Sequence, residues 1–112
     1  MLALSKVCAD PAAVPAEVAL ASAATARATT GFPQHFRRTR RLRFTAGAAI
    51  PPSLPVRVVW GAQDRIALAG RSRSPDALPP HATVETWERC GHMTMWDQPE
   101  RTLAAVSALT TG

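Results

Sequence analysis

Val56-Arg57-Val58-Val59-Trp60-Gly61-Ala62-Gln63-Asp64 is the stretch that decides the fold. Its first five positions are rich in β-branched and aromatic side chains and are fenced by Pro55 and Gly61, which is the pattern of a short strand. Apolar residues fall on both of its faces, as in a strand covered on both sides within a parallel sheet. A second strand is expected at Thr83-Val84-Glu85-Thr86-Trp87-Glu88, which is more polar and therefore nearer a sheet edge. Between the two, Ile66 to Leu78 has room for a short helix, basic at Arg71 and Arg73, and Pro79-Pro80 closes it.

Working outward, Pro51-Pro52-Ser53-Leu54-Pro55 fits neither a helix nor a central strand and reads as a connector. Upstream of it, Val14 to Ala28 is alanine-rich and predicts a helix, with Pro15 and Glu17 suited to its first turn and Gly31 to its end. Its apolar stripe (Val14, Val18, Ala21) is weak, so loose packing is expected. A second helix is expected from Pro33 to about Ala46, with Phe36 and Phe44 on one face and Arg37, Arg38 and Arg41 on another. Residues 1–10 read as a frayed start. At the other end, Asp97 as N-cap, Pro99 and Glu100 open a last helix whose apolar arc is Leu103, Val106 and Leu109. Helices and strands in this order predict an α/β layer, with a helical segment over 1–50 and a strand-helix-strand-helix segment over 51–112.

A chain of 112 residues makes one small domain. Its formal charge is +5, and Arg37, Arg38, Arg40, Arg41 and Arg43 crowd together. Such a cluster allows a non-catalytic basic module that binds nucleic acid or acidic surfaces. No aromatic RNA motif, zinc-ligand spacing or helix-turn-helix accompanies it, so a solvated helix face is expected, with neither nucleic acid nor membrane as partner. Cys8 and Cys90 make no disulfide framework, which points to the reducing cytoplasm. Nowhere do about twenty apolar residues run together, and Lys6 and Asp10 interrupt any signal-peptide pattern.

The chemistry is concentrated in two places. Asp64 lies just beyond the first strand in a Gly-x-x-Asp turn, and His92 follows the second strand within Arg89-Cys90-Gly91-His92-Met93-Thr94-Met95-Trp96-Asp97-Gln98-Pro99-Glu100. Ligands of open parallel sheets bind beyond the carboxyl ends of the strands. Adjacent strands are about 4.8 Å apart, so loops from their same ends can bring a carboxylate to an imidazole. The carboxylate would fix the ring tautomer and leave the other nitrogen free to take a proton. Gly91 is expected to free the backbone for a tight turn. Met93 is the residue best placed to touch substrate, and Trp96 is expected to pack. His35 and His81 have no such context, and Cys90 is too near His92 in sequence to act as its nucleophile.

Gly61-x-x-Asp64, the intervening helix, Leu78-Pro79, the second strand, Gly91-His92 and the helix from Asp97 to Leu109 together resemble the C-terminal half of the α/β-hydrolase family, over residues 55–110. The resemblance implies a partial α/β-hydrolase fold, with residues 1–50 as a remnant of the helical cap. It implies a hydrolase of a small organic substrate, acting on an ester, epoxide or similar bond, with Asp64 and His92 as catalytic residues, Met93 toward the substrate, and no metal or organic cofactor. The family's chain order is nucleophile, acid, histidine, and its nucleophile sits in a Gly-x-Ser-x-Gly elbow. This sequence departs from that pattern. Ser5, Ser22, Ser53, Ser72, Ser74 and Ser107 all lack the flanking glycines. The chain alone is therefore expected to be inactive and marginally stable, to need a missing N-terminal half, or to self-associate through an exposed sheet edge.

Overall fold

The computed structural model describes residues 4–39 and 42–110. In chain order the elements are α1 (Leu4–Val7), α2 (Ala16–Ala28), α3 (Phe32–Thr39), β1 (Arg57–Gly61), α4 (Ala69–Ser72), β2 (Thr83–Trp87), α5 (Thr94–Asp97) and α6 (Pro99–Thr110). Single 3₁₀ turns lie at Pro11–Ala13, Gly47–Ala49 and Pro75–Ala77. The architecture is small and of the α/β class.

β1 and β2 pair in parallel, with Arg57 opposite Thr83 and Gly61 opposite Trp87. Ladder-like bonds continue past both ends: Thr83 N–H donates to the Val56 carbonyl at 3.0 Å, and Ala62 N–H to the Trp87 carbonyl at 2.9 Å. Both strands therefore deliver their following loops to the same end of the sheet. One face carries Arg57, Val59 and Trp87 and meets Thr102 and Val106 of α6. There Arg57 Nε donates to Glu85 at 2.6 Å, and the Arg101 guanidinium lies 4.2 Å from the Trp87 ring centre. The other face carries Trp60, which borders a cavity with Leu42, Phe44 and Leu78.

The core is small. Cys8, Trp87 and Cys90 are at most 1 % exposed, and Val14 is also buried. β1 is only half-buried along Arg57–Trp60, so the expectation of a strand sealed on both faces is not met. A two-stranded sheet with α6 against one face cannot enclose it. For the same reason the expected arc of α6 forms but stays open, with Leu103 67 % exposed.

Three further expectations change. α3 is described over Phe32–Thr39, and residues 42–46 are not helical, so the helix does not reach Ala46. Arg37 and Arg38 suit the C-terminal end of a helix, and the helix has little apolar surface to anchor further turns. Phe44 thus lies in irregular chain and shares no helix face with Phe36; both rings are exposed. Arg40 and Arg41 lie outside the described residues. The described part of the expected frayed start, residues 4–10, is instead tied down, by Ala9 and Asp10 N–H donating to Asp97 and by Met93 N–H donating to the Val7 carbonyl. Finally, Asp97 does not cap α6, because its carboxylate is committed elsewhere.

Candidate active site

β1 closes on Gly61, a position where nothing larger fits. A Cβ there would lie 2.1 Å from the Gly91 carbonyl oxygen and 2.4 Å from that of Cys90. The chain then turns, with Asp64 N–H donating to the Gly61 carbonyl at 3.2 Å. Gln63 spans the gap to the histidine loop. Its backbone N–H donates to the Cys90 carbonyl and its side-chain Oε1 accepts from the Cys90 N–H, both at 2.9 Å. An amide side chain here does the work of one more ladder residue, and the two loops are joined before either catalytic candidate is reached.

Asp64 is buried, and both of its oxygens are used. Oδ1 accepts from the Ile66 N–H at 2.8 Å and the Ala67 N–H at 2.9 Å, and Oδ2 faces His92 Nδ1 at 3.0 Å. Burial alone would raise the pKa of this carboxyl. The hydrogen bonds from His92, Ala67 and Ile66, with the charge of the ring when protonated, outweigh it and hold the group below the usual carboxylate range. Asp64 is therefore an anion at neutral pH. Nδ1 must carry the proton it shares with Oδ2, which leaves Nε2 with its lone pair. The ring is 40 % exposed while its acid is 4 % exposed, so a solvent-accessible base is backed by a shielded anion.

Arg73 closes the acid loop from behind. Its Nη2 donates to the Gly61 carbonyl at 2.7 Å and its Nε to the Ala67 carbonyl at 3.2 Å, bracketing Asp64 on both sides in sequence. The guanidinium also sits 5.1 Å from the Trp60 ring centre, so the clamp is anchored to β1.

The histidine loop leaves β2 through Arg89, whose φ of 53° is the one positive value at a non-glycine residue among those described. Gln98 supports that conformation, its Nε2 donating to the Glu88 carbonyl at 2.6 Å and to that of Arg89 at 3.4 Å. Gly91, expected to free the backbone for a tight turn, has no positive φ. It is small for a different reason: a Cβ would meet Ala9 N, Cys8 C and Val7 O, each at 2.8 Å. The segment after α1 runs directly against it. Met93 N–H donates to the Val7 carbonyl at 2.9 Å, and Asp97 accepts from Gly91 N–H at 2.6 Å, Ala9 N–H at 2.9 Å and Asp10 N–H at 3.2 Å.

Of the residues singled out in the sequence, Asp64 and His92 are brought together, and Met93 lies half-buried beside the histidine. Trp96 is half-buried and borders an apolar cavity of about 340 Å³ with Leu4, Val7 and Leu20. His81 bonds the Leu54 carbonyl through Nε2 at 3.0 Å, and His35 is exposed on α3. Cys90 is sealed, and burial, then the nearby Asp97 charge, push its thiol up; Arg101 opposes this only in part. Cys8 is raised by the same two causes. Neither thiol is a ready nucleophile. Among the described residues no group of His, Cys, Asp and Glu could hold a metal ion, and no helix is long and apolar enough to cross a membrane.

Sequence reasoning missed Gln63, Arg73, Asp97 and the segment at residues 7–10. Gln63 and Arg73 carry no motif of their own. Asp97 resembles an N-cap so closely that the cap masks its longer-range bonds. Cys8, flanked by Val7 and Ala9, was the available signal that the first residues are buried. Comparison of the chain with protein-family models, with curated proteins and with solved structures returns no match, so what the site can do rests on its own geometry.

Proposed function

We propose that the chain is a hydrolase segment of α/β-hydrolase type, in which Asp64 orients His92 as general base toward a small organic substrate with an ester, epoxide or similar bond. Supporting this above all is the 3.0 Å contact between Asp64 Oδ2 and His92 Nδ1 beyond the carboxyl ends of two parallel strands. Nε2 takes a proton from a hydroxyl or a water as the carbon–oxygen bond to the substrate forms. It returns that proton to the leaving group, while Asp64 stabilises the imidazolium between the two steps. Met93 faces the substrate next to the base. Residues 1–50 serve as the cap-like segment and 51–112 carry the acid and histidine. Two free, buried thiols suit a reducing cytoplasm.

No Gly-x-Ser-x-Gly occurs in these 112 residues, so the proposal places the nucleophile in a segment outside them. The test is hydrolysis of an activated ester by the chain alone and by the chain joined, or added, to an N-terminal α/β-hydrolase half that bears the elbow. Alone, it should match free imidazole. Completed, it should exceed that rate and lose about 10²–10⁴-fold on His92→Ala, the usual worth of a positioned base. His35→Ala and His81→Ala should retain activity. Turnover that survives His92→Ala would contradict the assignment.

A further inference from the structure

We propose that Asp97 is a positioning residue for His92, a single carboxylate that fixes the peptide on one side of the histidine directly and on the other through residues 7–10. On the amino side, Gly91 N–H donates to Asp97 Oδ2 at 2.6 Å, which orients the residue preceding His92. On the carboxyl side, Met93 N–H donates to the Val7 carbonyl at 2.9 Å. Val7 belongs to the stretch that Asp97 itself captures, through Ala9 N–H at 2.9 Å to each oxygen and Asp10 N–H at 3.2 Å to Oδ1. Both neighbours of His92 are thus referred to one side chain.

The choice of residue follows from the donors. Every partner of Asp97 in this cluster is an N–H, so only an acceptor on both oxygens satisfies all of them. An amide would turn an N–H₂ toward an N–H. Charge assistance also shortens and strengthens such bonds, as the 2.6 Å contact illustrates. Gly91 admits no Cβ against residues 7–9, so the close approach that the carboxylate stabilises is written into the sequence twice.

This inference rests on His92 being the base, but its readout does not require turnover. Nitrogen-15 NMR of the full chain reports the His92 ring tautomer, which is Nδ1–H when the ring is seated on Asp64. Asp97→Asn should shift the ring toward a mixture rich in Nε2–H while the helical circular dichroism is kept. Asp97→Glu, which keeps the charge, should restore the Nδ1–H form in part, and Glu100→Gln, an exposed acid outside the cluster, should change nothing. An Asp97→Asn chain that folds and keeps the Nδ1–H tautomer overturns the proposal. If that variant does not fold, amide hydrogen exchange in the unaltered chain decides. The Gly91 and Ala9 amides should exchange within about tenfold of the ladder amide of Ala62, as members of one cooperative unit do. Exchange at free-loop rates overturns it equally. Absence of hydrolysis in the completed enzyme, with the tautomer still under Asp97 control, would remove the proposed function and leave this inference standing.

Discussion

The loops around Asp64 and His92 and the helical stretch before them are built by opposite means. In α2 and α3 the side-chain bonds are local: Thr25 to the Ala21 carbonyl, Thr29 to that of Thr25, and Thr39 to that of His35. α2 buries none of its residues and stands largely on alanine propensity. At the site the ties are long-range. Cys90 to Gln63, His92 to Asp64, and Ala9 to Asp97 join residues 27, 28 and 88 positions apart. A chain with so small an apolar core can still fix a pair of side chains when buried polar groups are matched donor to acceptor, because each one left unmatched would cost about 1–3 kcal/mol.

Glycines offer the hardest test of that contrast. Gly61→Ala or Gly91→Ala drives a Cβ into backbone at 2.1 to 2.8 Å, which cannot yield as a flexible side chain would. Either should cost at least the ~1–3 kcal/mol of an overpacked core and lower the thermal midpoint by several degrees. Gly31 and Gly70 have open space and no positive φ. Their alanine variants should be neutral or stabilising, by about 0.4–1 kcal/mol. Equal midpoints for the two sets would mean that the close backbone approaches at the site are not what holds it together.

Arg73 probes the acid loop alone. Arg73→Ala removes both carbonyl bonds and the contact with Trp60 and should cost ~1–2 kcal/mol, close to the worth of one or two hydrogen bonds. Arg73→Lys should recover little, since one ammonium cannot reproduce the fork. Full recovery by lysine, measured by urea unfolding, would reduce the arginine to a simple charge.

Acid should loosen the same loop in a defined direction. Asp64 is held below its ordinary pKa, so its bonds contribute stability at and above the usual carboxylate range, near pH 4, and lose it as pH falls through the depressed folded value. A carbon-13 titration of the Asp64 carboxyl should therefore show a midpoint below the usual carboxylate range. A midpoint at or above the ordinary value would mean that burial outweighs the hydrogen bonds.

The smallest effect is expected in the arginine-rich stretch. Arg37 and Arg38 are exposed on α3, and their replacement by Gln should alter solubility while leaving stability within about 0.5 kcal/mol, as for most surface changes. Loss of a tight, salt-sensitive binding to DNA or RNA in that variant would instead favour a basic interaction module.

How much of this was legible in the sequence follows the same division. β1, β2, the short helix between them and α6 could be read from β-branched runs, proline fences and an apolar arc, all local signals. The Asp64–His92 contact could be read because parallel strands deliver their loops to one end. What could not be read depends on contacts distant in sequence. Nothing near Asp97 distinguishes a helix cap from a carboxylate that captures Ala9, and nothing in Leu4-Ser5-Lys6-Val7-Cys8 states that the segment lies against Gly91. That the helix does not reach Ala46 was missed for an energetic reason: the periodicity was helical, but Phe44 stays exposed, so extending the helix to it would bury little.

The most direct test of the central claim is the tautomer of His92 at neutral pH, read by nitrogen-15 NMR in the unaltered chain and in Asp64→Asn. The unaltered ring should be Nδ1–H. In Asp64→Asn the carboxamide oxygen remains bound by the Ile66 and Ala67 N–H groups, so its N–H₂ faces the ring and should force the proton onto Nε2. In a completed enzyme that wrong tautomer should cost about 10⁴-fold in rate, the loss known for such a swap in serine proteases. An Nε2–H ring in the unaltered chain, or one indifferent to Asp64→Asn, would mean that Asp64 does not orient His92.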